Sequence, residues 1–245
     1  MAKPAKTARR KAASTPSRVS LAPGRKDVVR WAIRAAIGLV AVLLAAVLFF
    51  SVFNPPTTIY MAAESRRLGG VEQEWVDFDN VAPSMARSIV AAEDANFCLH
   101  WGFDMGEIRR AIDAGGQRGA STISQQTVKN VYLWQGRSWP RKALEAVLTP
   151  LVETFWSKQR ILEVYMNVAE FGEGVFGVQA AARHYYNVDA ARLTPSQSAR
   201  LAAILPDPKG RDPRRPTAFV QRRAAAIQDG AQTIRADGRA NCFTG

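Results

Sequence analysis

AAEDANFCLHWGFD, residues 91–104, sets two adjacent carboxylates, Glu93 and Asp94, at the end of the apolar run Ser88-Ile89-Val90-Ala91-Ala92. An aromatic, a histidine, a glycine and a third carboxylate follow within ten residues. A carboxylate that closes an apolar helix is solvated, salt-bridged or chemically employed. Working outward from this stretch separates the three readings.

Upstream, Pro83 suits the first turn of a helix, and Met85, Ile89, Val90 and Ala92 recur at helical spacing. Downstream, helical patterns cover residues 104–114, ending at Gly115-Gly116, and 121–133, with Ser121 or Thr122 as N-cap. A long pattern spans 141–168, with a kink expected at Pro150. Further helices are expected over 175–186, 194–205 and 216–234. No repeat and no alternating strand pattern is visible, so the fold class is mainly α. Gly172-Glu173-Gly174-Val175-Phe176-Gly177 fits G-x-G-x-x-G by letter. A dinucleotide site needs a strand before that motif and a helix after it, whereas the preceding ILEVYMNVAEF reads as helix. The glycines are expected to shape a turn against a packed neighbour.

The chain of 245 residues carries a formal net charge of +12. Residues 1–34 hold ten Lys/Arg and one acid, whereas the rest holds 23 Lys/Arg and 20 Asp/Glu. The basicity therefore belongs to the tail, which argues against a nucleic-acid partner for the body. Residues 1–30 have too few large apolar residues to bury a core and read as a disordered basic tail. Residues 31–53, WAIRAAIGLVAVLLAAVLFFSVF, contain Arg34 as their single charge, and about 20 apolar residues suffice to cross a bilayer as a helix. Arg34 sits near one end, where it can snorkel. No small-residue cleavage site follows, which favours a retained anchor over a signal peptide. The positive-inside rule puts the tail in the cytoplasm and everything after Pro56 outside. Residues 54–80 read as a juxtamembrane linker with room for a short strand, and 81–245 as the folded domain. Cys98 and Cys242 leave both a disulfide and two free thiols open. With His100 and His184 they give no metal-ligand spacing.

Three further stretches carry candidate chemistry. In GASTISQQTVKNVYLW, residues 119–134, polar side chains crowd a helix start, and Ser121, Gln125 and Lys129 fall at i, i+4 and i+8. Hydroxyls, amides and an ammonium at a helix N-terminus suit an anion. In 141–167, Arg141 and Glu145 are i, i+4 neighbours with Lys142 alongside; in isolation this reads as a surface pair worth about 0.3–0.5 kcal/mol. The last stretch is GEGVFGVQAAARHYY, residues 172–186.

Taken together, E-D-x-x-F-x-x-H-x-G, G-x-S-T-I-x-Q-Q-x-x-K-N, R-K-x-x-E and S-K-x-x-I-L-E-x-Y-x-N resemble the signature blocks of the peptidoglycan glycosyltransferases, in their order and approximate spacing, over about residues 80–210. A short chain with one anchor resembles the monofunctional members. The resemblance implies a lysozyme-like α-helical domain that polymerises lipid II on the outer side of a bacterial inner membrane, inverting C1 and releasing polyprenyl diphosphate. It assigns Glu93 as general base and Glu145 as the second functional glutamate near the diphosphate. It gives Ser121, Gln125, Gln126, Lys129, Arg141 and Lys142 contacts to donor sugars and diphosphate, and Asp94 and His100 support of the turn holding Glu93. It admits a divalent cation, Mg2+ or Mn2+, with the diphosphate. Its partners are lipid II, the growing glycan, the membrane, and cell-division or elongation proteins. A lysozyme-like glycan-cleaving enzyme and an inactive anchored scaffold are the alternatives; the cationic, amide-rich second block and the intact Glu93, Lys129 and Glu145 argue against them.

Overall fold

The computed structural model describes residues 25–115, 119–136 and 138–244. Most of the basic tail, and part of the segment between Asp104 and Gly119, lie outside the described residues. The chain divides into two compact units, residues 1–43 and 44–245. The first contains most of helix α1, Arg25–Phe50. Within Lys26–Phe50 an 18-residue window reaches a mean hydropathy of 2.6, and the helix is long and apolar enough to cross a membrane. It begins earlier and ends sooner than the 31–53 segment expected from composition.

The second unit begins before its expected boundary at residue 81. Residues 54–80 are not a bare linker: Thr58 caps helix α2, Ile59–Leu68, by accepting from the Met61 N–H at 3.1 Å. Strand β1, Glu72–Gln73, and a 3-10 turn over Phe78–Asn80 follow. β1 pairs in parallel with β3, Val175–Phe176, which pairs antiparallel with β2, Glu170–Gly172. This small sheet, order β1-β3-β2, contains the G-x-G-x-x-G stretch as a hairpin. At Gly177, φ is +84° and a Cβ would lie 2.9 Å from the Asn167 carbonyl oxygen. The glycine answers to a close backbone approach.

The remaining elements are helices: α3 Pro83–Glu93, α4 Met105–Asp113, α5 Ile123–Tyr132, α6 Trp139–Phe155, α7 Lys158–Val168, α8 Val178–Tyr186, α9 Pro195–Ile204, α10 Ala218–Ala236 and α11 Asn241–Thr244. Helices α3, α9 and α10 pack on one another, and α5 packs on α6 and α7. Fully buried Phe97, Tyr165, Phe171, Phe176 and Phe243 anchor the core.

The long 141–168 pattern is two helices, and the break is not at Pro150. Helix α6 runs through the proline and ends at Trp156, whose backbone is extended and whose indole Nε1 donates to the Val47 carbonyl at 2.8 Å. Ser157 then caps α7 by accepting from the Arg160 N–H at 3.1 Å. A tertiary hydrogen bond and a local cap set the break. Cys98 and Cys242 form a disulfide, Cα–Cα 5.6 Å, which ties the turn after α3 to α11. Phe97 and Phe243 pack beside it with centroids 6.3 Å apart.

Candidate active site

Helix α3 buries Met85, Ile89 and Val90, and this apolar face fixes where the helix ends. Glu93 is its last residue, with a side chain 12% exposed. Oε2 accepts from Gln126 Nε2 at 2.9 Å. Oε1 is buried without a hydrogen-bond partner among the described residues, and the closest cation, Arg223 Nη2, stands 3.6 Å away. Burial pushes the Glu93 carboxyl above its ordinary pKa; Gln126, Arg223 and Lys129 oppose the shift and Asp94 adds to it. The first cause dominates because removing water penalises the charged form.

Asp94 plays a different part from its neighbour. Its Oδ1 bonds His100 Nε2 at 2.8 Å, and its Oδ2 accepts from the Ile123 N–H, at the start of α5, at 3.0 Å. Thr122 Oγ1 donates to the Gly102 carbonyl at 2.7 Å, and Lys158 Nζ donates to the His100 carbonyl at 2.9 Å. A Cβ at Gly102 would meet Thr149 Cγ2 at 2.6 Å. Asp94, His100 and Gly102 thus clamp the turn after α3 to the start of α5, which presents Gln126 to Glu93.

The cationic side is built on α5 and α6. Arg141 Nη1 reaches Glu145 Oε2 at 2.9 Å, and Lys142 Nζ bonds Glu145 Oε1. Lys142 Nζ also donates to Ser121 Oγ at 3.4 Å, and Arg141 Nε to the Gly136 carbonyl at 2.8 Å. Glu145 is only 3% exposed, so the surface-pair reading from spacing does not hold. Lys129 is near enough to both glutamates to feel their charge. Burial lowers its pKa, while Glu145 and Glu93 hold it up and Arg141 and Lys142 push it down. Both Glu145 oxygens are taken by cations, with Lys129 nearby. These residues therefore do not fit a divalent ion held by Glu145.

Two clefts share Gln126 and Pro206 as a wall. One, about 530 Å³, is lined by Glu93, Ser121 and Arg223; the other, about 450 Å³, by Lys129, Asn130, Tyr165 and Lys209. Glu93, Ser121, Gln126 and Lys129 are therefore together. Gln125 is not among them: it is buried and closes a capping box, accepting from the Thr122 N–H at 3.1 Å. The expected Ser121–Gln125–Lys129 face fails because α5 begins at Ile123, leaving Ser121 outside the helix. Sequence reading passed over Tyr165, whose hydroxyl donates to Gln126 Oε1 at 3.3 Å, although it stands inside the fourth block. It also passed over Arg223, for which no local spacing gives a signal.

The transglycosylase family model matches residues 62–232. A biosynthetic peptidoglycan transglycosylase of Jannaschia sp. (strain CCS1) is 59% identical over 214 residues, covering 87% of this chain and 90% of the relative. Those of Xanthomonas oryzae pv. oryzae (strain KACC10331 / KXO85) and Caulobacter vibrioides (strain ATCC 19089 / CIP 103742 / CB 15) are 49% and 46% identical, covering 86% and 83% of this chain and 91% of each relative. With the matched region enclosing both glutamates, Gln126, Lys129 and Arg223, the chain belongs to the transglycosylase family, in the branch formed by the biosynthetic peptidoglycan transglycosylases.

Proposed function

We propose that this enzyme polymerises lipid II into linear β-1,4 glycan strands of peptidoglycan, inverting C1 and releasing polyprenyl diphosphate. The observation that carries the reading is the asymmetry of Glu93: one oxygen is held by Gln126, and the other is free, in a cleft that shares a wall with the Lys129 cleft. Glu93 takes the proton of the acceptor 4-hydroxyl as that oxygen bonds to donor C1. The bond from C1 to the diphosphate oxygen breaks, and the electron pair leaves with the diphosphate. Lys129, Arg141 and Lys142 stabilise the charge that grows there, with Ser121 beside Lys142. Such fixed cations act most strongly where water is excluded, and the burial of Lys129 supplies that setting. A diphosphate is already a good leaving group, so the reaction needs cations more than a strong acid; a base of raised pKa suits a weakly acidic sugar hydroxyl.

The α1 helix fits anchoring in a membrane, and we place its basic end in the cytoplasm and the clefts outside the inner membrane by the positive-inside rule. Both substrates carry polyprenyl tails, so anchoring raises their effective concentration. Exposed Trp101, Met105 and Ile112 around α4, and Trp139 and Val147 on α6, offer apolar surface to a bilayer. The test is incubation of the full chain in detergent micelles with labelled lipid II. The expected outcome is a glycan polymer that muramidase digests to disaccharide units, with polyprenyl diphosphate released in step. Cleavage of preformed glycan without polymer formation would sink the proposal in favour of the glycan-cleaving alternative.

A further inference from the structure

Helix α10 packs along α3 closely enough that a Cβ at Gly230 would lie 3.3 Å from Ala91 Cβ. This contact delivers Arg223 to the end of α3, more than a hundred residues away in sequence. There its Nη2 donates to the Ala92 carbonyl at 3.4 Å and stands 3.6 Å from Glu93 Oε1. The last carbonyls of a helix lack intrahelical partners and carry partial negative charge, so a guanidinium is favoured there. Among the described residues, two buried polar atoms are left without partners on these facing side chains, Glu93 Oε1 and Arg223 Nε, and both residues line the 530 Å³ cleft. A hydroxyl can both donate and accept, and this gap offers one group of each kind.

We propose that Arg223 is a positioning residue: fixed on the end of α3, it holds Glu93 ionised with Oε1 open to the incoming hydroxyl. The inference rests on the reading of Glu93 as the base. The groups facing Glu93 are Asp94 from its own turn, Gln126 and Lys129 from α5, Tyr165 from α7 and Arg223 from α10. Tyr165 is neutral, since burial lifts its hydroxyl well above the ordinary value. Among the described residues the cations are thus Lys129 and Arg223. Lys129 is itself weakened as a cation by burial, whereas an arginine keeps its charge throughout.

The experiment is the pH dependence of the initial polymerisation rate of the full chain on labelled lipid II, for wild type, Arg223→Gln, Arg223→Lys and Glu93→Gln. Removing an opposite charge at this range raises a carboxyl's pKa by about one unit or more. The acid limb of Arg223→Gln is expected to move up by about one pH unit, with its rate recovering at higher pH. Arg223→Lys is expected to keep the limb within about 0.3 unit of wild type, as a positive charge remains. A lowered plateau with an unmoved limb in Arg223→Gln, while Glu93→Gln is inactive, would overturn the role of Arg223 and leave the base reading standing. Normal polymerisation by Glu93→Gln would remove the base reading and the inference with it. Should Arg223→Gln be too unstable to assay, the lysine variant decides: a limb moved by a full unit despite retained charge overturns the proposal.

Discussion

Two glutamates, Glu93 and Glu145, both act on Lys129 and are treated in opposite ways. Glu145 is saturated: Arg141 holds one oxygen, Lys142 the other. Glu93 is left short, with Gln126 on one oxygen, no hydrogen-bond donor on the second among the described residues and a guanidinium kept 3.6 Å off. A carboxylate saturated by cations is a poor proton acceptor and a good organiser of positive charge. A carboxylate in a dry site with one free oxygen is the reverse. The difference teaches that burial alone does not define a base here, since both groups are buried; the number of bonds each is denied does.

The harshest way to break this contrast is Glu93→Gln. We expect the polymerisation rate to fall about a thousandfold, the middle of the range for a lost general base, with melting temperature unchanged or raised. The sign follows from linkage. The folded-state pKa of Glu93 lies above its unfolded value, so at neutral pH folding must hold a charge it disfavours. That cost sets in as pH rises through the unfolded pKa and is complete above the folded one. A neutral glutamine removes it. A variant that keeps most of its activity, or that loses several degrees of melting temperature, contradicts the contrast.

Glu145→Gln should do the opposite. It leaves Arg141, Lys142 and Lys129 without their shared counter-charge. Breaking a buried pair costs about 3–5 kcal/mol, and we expect about 3 because Lys142 is 43% exposed. At about 2–4 °C per kcal/mol for a chain of this size, melting should drop by about 6–12 °C at neutral pH. Recovery of stability on adding pyrophosphate, which replaces the lost charge, would sharpen the assignment. Lys129→Met keeps the side chain's bulk and removes its charge. A lost hydrogen bond to a charged group is worth about 1.5–3 kcal/mol, so apparent KM for lipid II should rise about tenfold or more without a fall in melting temperature. An unchanged KM would detach Lys129 from the donor.

What the sequence made legible was local. Pro83 and the apolar spacing placed α3 and its terminal acid, Gly115 closed α4, and the order of four polar blocks marked the family. What it hid was set by distance or by one-residue phase. The break beyond Pro150 has a local half, the Ser157 cap, and a distant half, the Trp156–Val47 hydrogen bond, which no spacing within 141–168 contains. Residues 54–80 read as a linker with room for a short strand, and the strand found there, β1, is held by pairing with β3 about a hundred residues later. Arg223 is one arginine among many until α10 is laid on α3. The disulfide stayed undecided in sequence for the same reason, since 144 residues separate its halves.

The phase question has a direct experimental form in the two adjacent glutamines. Counting from Ser121 puts Gln125 on the functional face; counting from the observed cap, Thr122, makes Gln125 the third helical residue, where it turns back to bond the Thr122 N–H. Gln126 then points at Glu93. A reciprocal cap of this kind is worth about 1 kcal/mol, so Gln125→Ala should lower melting temperature by about 2–4 °C and leave the pH–rate profile where it was. Gln126→Ala should leave melting nearly unchanged. It removes a hydrogen bond that favours the ionised form of Glu93, so its acid limb should shift upward and its rate at neutral pH should fall severalfold. The two variants differ by one position and by no chemistry. If their effects were exchanged, the helix would begin at Ser121 as the spacing suggested, and the amide now bonded to Glu93 would face elsewhere.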